Sequence, residues 1–95
     1  MTLVRRLVID VLKPHEPPLV EFTQGIGETE TVEAVASSLV ELDQEVQNVK
    51  LTLEGPEVDL SQIEQAVERL GGTVHSVDEV ACGEYVVEER PTPQD

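Results

Sequence analysis

Hydrophobic and polar residues alternate along much of the chain at the two-residue period of a β-strand. Residues 3–13, "LVRRLVIDVLK", place Leu7, Ile9 and Val11 on one side of such a strand. The opposite side is also mostly apolar and is interrupted by Asp10. A strand that is covered on one face only alternates more cleanly than this. We therefore predict a first strand whose second face is also partly covered, for example by another subunit.

Three more segments have strand character, and a short extra strand is predicted near the end of the chain. The segment "VQNVKLTLE" has the clearest inner face, because its apolar positions alternate with polar ones. A short connection, "DQE", joins it to the strand before it and favours a hairpin. The predicted strands after the first are residues 32–42, 46–54, 73–81 and 84–89.

A first helix is predicted after the proline-rich stretch that ends the first strand. Pro17 and Pro18 suit the first turn of a helix, where a missing N–H costs little. Gly25 and Gly27 each weaken this helix by roughly 1 kcal/mol relative to alanine, so it should be short or held by tertiary packing. Its apolar positions, at helical spacing, are Leu19, Phe22 and Ile26.

A second helix is predicted with clearer boundaries. Asp59 begins it, and Gln62 stands three residues later, as a capping box requires. Gly71 and Gly72 end it. Its apolar stripe consists of Leu60, Ile63, Ala66, Val67 and Leu70.

The order β-α-β-β-α-β, with a short final strand, predicts an α+β fold, the ferredoxin-like sandwich. We expect an antiparallel sheet with two helices on one face, forming a single domain over residues 1–90, followed by a tail at 91–95. Right-handed crossovers place the first strand between the third and the fourth. The first and fourth strands are then antiparallel neighbours.

This pairing brings three acidic residues together. If Lys13 lies opposite Thr73, Asp10 approaches Asp78 and Glu79 on the fourth strand. Like charges across a sheet destabilise it, so these carboxylates need solvent, basic partners, raised pKa values or a bound cation. Carboxylate oxygens favour hard ions, which makes the group a candidate site for Ca²⁺ or Mg²⁺.

A simpler interpretation of the same residues needs no ligand. The acids can form a solvated face, or they can pair with basic side chains of the first strand. Arg5 and Arg6 are the candidate partners. The sequence leaves both interpretations open.

The same pairing predicts that the two histidines of the chain converge on one edge. His15 and Glu16 follow the first strand, and His75 and Ser76 lie near the start of the fourth, which makes the four a candidate ligand-binding group. Two imidazoles would also tolerate zinc. The alternative is that each histidine is an ordinary turn or strand residue that bonds to backbone.

The net charge of the chain indicates which kinds of partner it is not expected to bind. The chain has 6 basic and 20 acidic residues, a formal charge of −14. Without a basic patch it is not expected to bind nucleic acid or anionic membranes. Such a charge repels itself in low salt and is screened in molar salt, which favours a halophilic source over a merely acidic mesophilic one.

No feature of the sequence predicts catalysis or export. The serines lack a nucleophile-elbow context, and "GIGETE" lacks the third glycine of a dinucleotide loop. Cys82 is the single cysteine, so no disulfide can form within the chain. With no signal peptide or membrane span recognisable, a soluble, cytoplasmic protein that is not an enzyme is expected.

The stretches "RRLVIDVLKPHEP", "VHSVDEVACGEYVVEE" and "TPQD" resemble an uncharacterised archaeal family, domain-of-unknown-function family 211, over nearly the whole chain. The resemblance implies a ferredoxin-like fold and cyclic homo-oligomers that hold calcium or a similar ion, with no established enzymatic activity. The glycines of the first helix and Cys82 depart from the family's usual pattern. The positions that match its two motifs are Asp10, His15, Glu16, His75, Ser76, Asp78 and Glu79.

Together these features favour a non-enzymatic, oligomeric binding module that responds to Ca²⁺, Mg²⁺ or a small ligand. The alternative is a structural or adaptor oligomer that docks a protein partner through a sheet edge or through the C-terminal tail.

Overall fold

The structure, a computed structural model, describes residues 2–85. Its elements follow the predicted order, with boundaries close to the predicted ones. They are β1 (Val4–Pro14), α1 (Leu19–Gly27), β2 (Ala34–Leu42), β3 (Val46–Glu54), α2 (Leu60–Arg69) and β4 (Thr73–Cys82). The chain bends at Glu84 and Tyr85, and the rest of the predicted final strand, with the tail at 91–95, lies outside the described residues.

The four strands form one antiparallel sheet in the order β2-β3-β1-β4. β1 therefore lies between β3 and β4, as predicted. Both helices contribute to one hydrophobic core with the same side of the sheet. This arrangement confirms the α+β, ferredoxin-like fold.

The alternation of β1 and β3 divides the sheet into two faces. The covered face, which packs against the helices, includes Ile9, Val11 and Leu51, all fully buried. The open face lies on the opposite side, where no helix of the described residues packs. Val8 lies on the open face and is still only 8% exposed. The predicted cover of this side of β1 stays a prediction.

The two helices are stabilised differently. The Asp59 carboxylate caps α2, because it accepts hydrogen bonds from the backbone N–H groups of Ser61 and Gln62 at 2.9 and 3.3 Å. α1 has no side-chain cap at its start and is nine residues long. A Cβ atom at Gly25 would lie 3.0 Å from Cδ1 of Leu70, so this glycine allows the end of α2 to pack closely on α1. The prediction of a short helix held by packing is confirmed.

The pairing of β1 with β4 is irregular. Leu12 lies opposite Thr73, one residue from the predicted register, and Asp10 lies opposite Ser76. Register shifts occur at three places along the pair. Such bulges leave residues of one strand without a direct partner and re-aim their side chains, which changes what lies next to Asp10.

Candidate functional site

The three carboxylates that the sequence analysis proposed as a cation site line one concavity on the open face. Its volume is about 410 Å³, and strands β1, β2, β3 and β4 all contribute to it. It contains both acidic and basic groups beside an apolar edge. The lining residues are Val8, Asp10, Val40, Asn48, Lys50, Asp78 and Glu79.

Asp10 is held by an amide rather than by an arginine. The Nδ2 atom of Asn48 lies 2.9 and 3.1 Å from the two carboxylate oxygens of Asp10. Lys50 stands directly opposite Asp10 on β3, and Ser76 stands opposite it on β4. The acid in the middle of β1 is therefore flanked by a cation on one side and a hydroxyl on the other.

Glu79 has an arginine partner. Arg6 donates from Nε and Nη2 to the same oxygen of Glu79, at 3.0 and 2.8 Å, and its Nη1 lies 3.5 Å from Glu54. The hydrogen bond to Glu79 is the main reason that the pKa of Arg6 is raised. Arg5, the other candidate partner, donates to the carbonyl oxygen of Gly83 instead. The arginine-paired interpretation thus applies to Glu79 through Arg6.

Asp78 is exposed and accepts one hydrogen bond, from the hydroxyl of Ser76 at 2.9 Å. Within residues 2–85, no group of three or more histidine, cysteine, aspartate or glutamate side chains is already arranged to hold a metal ion. Existing hydrogen bonds would therefore have to rearrange before the three carboxylates of the concavity could share a cation.

The two histidines do not share hydrogen bonds. His15 turns toward the β2–β3 turn, where its Nε2 lies 3.2 and 3.0 Å from the carbonyl oxygens of Asp43 and Gln44. His75 is exposed on β4. β1 and β4 are neighbours as predicted, but β1 is also bonded to β3. His15 follows the end of β1, so its side chain can point toward β3 or toward β4. It points toward the β3 side, where the turn carbonyls accept its hydrogen bond. Glu16 beside it is exposed.

Sequence reasoning missed a buried charge at the end of β1. Lys13 is fully buried, and its Nζ lies 2.8 Å from the Pro14 carbonyl oxygen, 3.2 Å from Oε1 of Gln47 and 5.7 Å from the centre of the Phe22 ring. Burial lowers the pKa of Lys13, and the charge of Glu16 partly opposes that effect. The burial of Lys13 could have been predicted from its position, because it lies two residues after Val11 and therefore on the same inward-facing side of β1.

Asn48 and Lys50 were also missed as site residues. They occupy the polar positions of the alternating strand β3, and the predicted topology already placed that strand beside β1. Aligning the polar side of β3 with Asp10 would have found both.

No helix within the described part of the chain is long and apolar enough to span a membrane. Cys82, at the end of β4, is exposed and free.

The fold and the concavity define the class: a small α+β, ferredoxin-like protein with a mixed-charge depression on the open face of its sheet. The chain belongs to DUF211, a family described as uncharacterized ArCR proteins, whose profile matches residues 5–95. It is similar to an uncharacterised protein of Methanocaldococcus jannaschii, with 42% identity over 92 residues that cover 97% of this chain and 95% of the relative. The predicted family is therefore confirmed, and it assigns no activity.

Proposed function

We propose that this protein is a non-enzymatic, self-associating binding module that takes up Ca²⁺, Mg²⁺ or a small polar ligand at the open-face concavity. The observation that carries the proposal is the convergence of Asp10, Asp78 and Glu79 on one depression, although β1 and β4 are far apart in the chain. Carboxylate oxygens are the ligands that these hard ions prefer.

The present partners of the carboxylates favour reversible uptake over permanent occupancy. Glu79 would exchange part of its contact with Arg6 for the ion, and Asp10 would share oxygens that now accept from Asn48. Asp78 makes its single hydrogen bond to a hydroxyl and is the carboxylate most easily recruited. Because the protein gives up existing hydrogen bonds when the ion binds, the net affinity would be lowered. The site would then fill and empty as the concentration of the ion changes.

Self-association is supported by the two outer strands of the sheet. β2 and β4 each pair with one neighbour within the described residues. Unpaired strand edges with apolar side chains are templates for pairing with another chain. If the β2 edge of each subunit paired with the β4 edge of the next, a closed ring of subunits would leave no edge strand unpaired. The large apolar residues that are exposed on the two edge strands are Leu39, Val40 and Leu42 on β2 and Val77 and Val80 on β4.

Thermal denaturation with added ions tests the proposal. The metal-free protein is titrated with Ca²⁺, Mg²⁺ and Zn²⁺ separately, at constant high ionic strength so that general screening does not change. A ligand that binds the native state raises the melting temperature. We expect a rise with Ca²⁺ or Mg²⁺ in the wild type and its loss in Asp78→Asn.

The control variant is Glu64→Gln, because Glu64 is an exposed acid on α2 and does not line the concavity. It changes the net charge by the same amount and should keep the rise. Equal shifts in wild type, Asp78→Asn and Glu64→Gln, or no shift with any ion, would remove the cation version of the proposal.

A second candidate function is a structural or adaptor role through the β2 edge. Val40 and Leu42 are each 62% exposed there, and neighbouring Leu39 is 45% exposed. Apolar residues exposed next to one another are typical of protein–protein interaction sites. The variant Leu42→Lys places a lysine on the edge strand, and such charges on natural edge strands prevent pairing with another chain. If β2 forms the interface, light scattering should show a smaller assembly for Leu42→Lys. An unchanged mass would exclude β2 as the interface between copies.

A further inference from the structure

Three side chains at the end of β1 form a directed series of hydrogen bonds. Lys13 Nζ donates to Oε1 of Gln47 at 3.2 Å, and the Nε2 of Gln47 lies 3.4 Å from Nδ1 of His15. The Nε2 of His15 in turn lies 3.0 Å from the carbonyl oxygen of Gln44. A carbonyl only accepts, so Nε2 of His15 carries the proton and Nδ1 accepts from Gln47. The series joins β1, β3 and the β2–β3 turn.

A protonated His15 is incompatible with this series. With a proton on both nitrogens the ring has no acceptor left, and the amide N–H₂ of Gln47 would face another donor. A half-turn of the Gln47 amide would present its oxygen to His15. The same half-turn would place N–H₂ against the Nζ of Lys13. The imidazolium of His15 and the ammonium of Lys13 therefore compete for one oxygen atom.

We propose that Gln47 is a two-position switch, whose side-chain oxygen bonds Lys13 while His15 is neutral and turns to His15 when that ring is protonated. The charge of an exposed ring thereby controls the environment of a buried lysine, and through it the attachment of the end of β1 to β3. This device lies apart from the open-face concavity and does not depend on the function proposed for it.

The groups around the switch have mixed charge. Glu16 in the β1–α1 loop and Asp43 and Glu45 in the β2–β3 turn are acidic, and Lys13 is basic. α1 presents the uncharged ring of Phe22 to the lysine. After the switch, Lys13 keeps the Pro14 carbonyl and this ring as partners. Histidine side chains change charge between pH 5 and 8, which is the range in which the switch should operate.

Nuclear magnetic resonance of the whole protein tests the switch. The ring signals of His15 and the side-chain signals of Lys13 are followed from pH 8 to pH 5. We expect the Lys13 signals to shift with the same midpoint as the His15 ring. In Gln47→Glu, which offers two oxygens, both partners are satisfied at once, so the Lys13 shift should disappear while His15 still titrates.

Two further variants separate the switch from general effects of acid. His15→Gln should remove the Lys13 shift, because no ring remains to take the oxygen. His75→Gln, which removes the other histidine, should leave the shift unchanged. Lys13 signals that stay constant through the His15 titration of the wild type, or that still move in His15→Gln or Gln47→Glu, would overturn the proposal.

Discussion

The two faces of the sheet use the same strand for different purposes. On the covered face, β1 contributes Ile9 and Val11 to the core, and one charge, Lys13, is buried at its end. On the open face, β1 contributes Arg6 and Asp10 to a polar surface. A neighbouring amide holds a charge on each face, because Gln47 accepts from Lys13 and the next residue of β3, Asn48, donates to Asp10. Because successive side chains of a strand point to opposite faces, the residues that form the core and those that line the candidate site lie on opposite sides of the sheet.

The largest expected loss of stability comes from a substitution on the covered face, which is compared with a substitution of the neighbouring residue on the open face. Leu51 is fully buried and Lys50, the residue before it, is exposed. Leu51→Ala should lower the free energy of unfolding by about 2–5 kcal/mol because it removes buried methyl groups and leaves a cavity. Lys50→Ala should change it by less than about 0.5 kcal/mol. Urea denaturation at several protein concentrations measures both, and similar losses would contradict the division into two faces.

Lys13 is the buried charged residue of the covered face within the described part of the chain. Lys13→Ala should cost about 1–3 kcal/mol of unfolding free energy, because the Pro14 carbonyl and the Gln47 oxygen lose their donor. Lys13→Met keeps the length of the side chain without the charge and should cost less, since well-packed apolar replacements of buried charges are often close to neutral. If Lys13→Met were the more damaging variant, the charge itself would be stabilising.

The same residue predicts how stability depends on pH. Burial lowers the folded-state pKa of Lys13 below its ordinary value of 10.5. The unfolded chain therefore binds more protons at this group in the window just below pH 10.5, so its contribution to stability rises with pH there. The stability of wild type relative to Lys13→Met should increase as pH approaches 10.5. A flat or falling difference would contradict a lysine desolvated by the core.

The smallest effect is expected on the open face. Arg6→Gln removes the ion pairs with Glu79 and Glu54, whereas Arg5→Gln removes the same charge from a side chain bonded to a backbone carbonyl. In low salt, Arg6→Gln should lower the melting temperature more than Arg5→Gln. The difference should shrink in 1 M salt, because partly exposed pairs are screened. A difference that persists would indicate a pair more protected than its exposure suggests.

The elements and their order could be predicted because local patterns specify them. β3 alternates strictly from Asn48 to Glu54, and α2 has a capping aspartate and a continuous apolar stripe. The place of β1 in the sheet followed from the handedness of the connections. These features depend on short stretches of sequence and on general rules, and the structure agrees with them.

Contacts that depend on the ends and irregularities of strands could not be predicted. The bulges between β1 and β4 have no signature in the sequence, so the register was one residue off. The orientation of His15 depends on carbonyls of a turn that is distant in the chain. Gly25 looked like a weakness of α1, but its purpose lies in the approach of Leu70, which no local pattern contains.

The central position of β1 has a consequence for how the protein is made. β1 is synthesised before both of its partners, β3 and β4, which end at residues 54 and 82. Non-local pairings of this kind form late because the intervening chain must first be closed into a loop. One edge of β1 can therefore pair once β3 has been synthesised, but its other edge stays unpaired until residue 82 has been added, and this interval is when the growing chain most needs protection from aggregation.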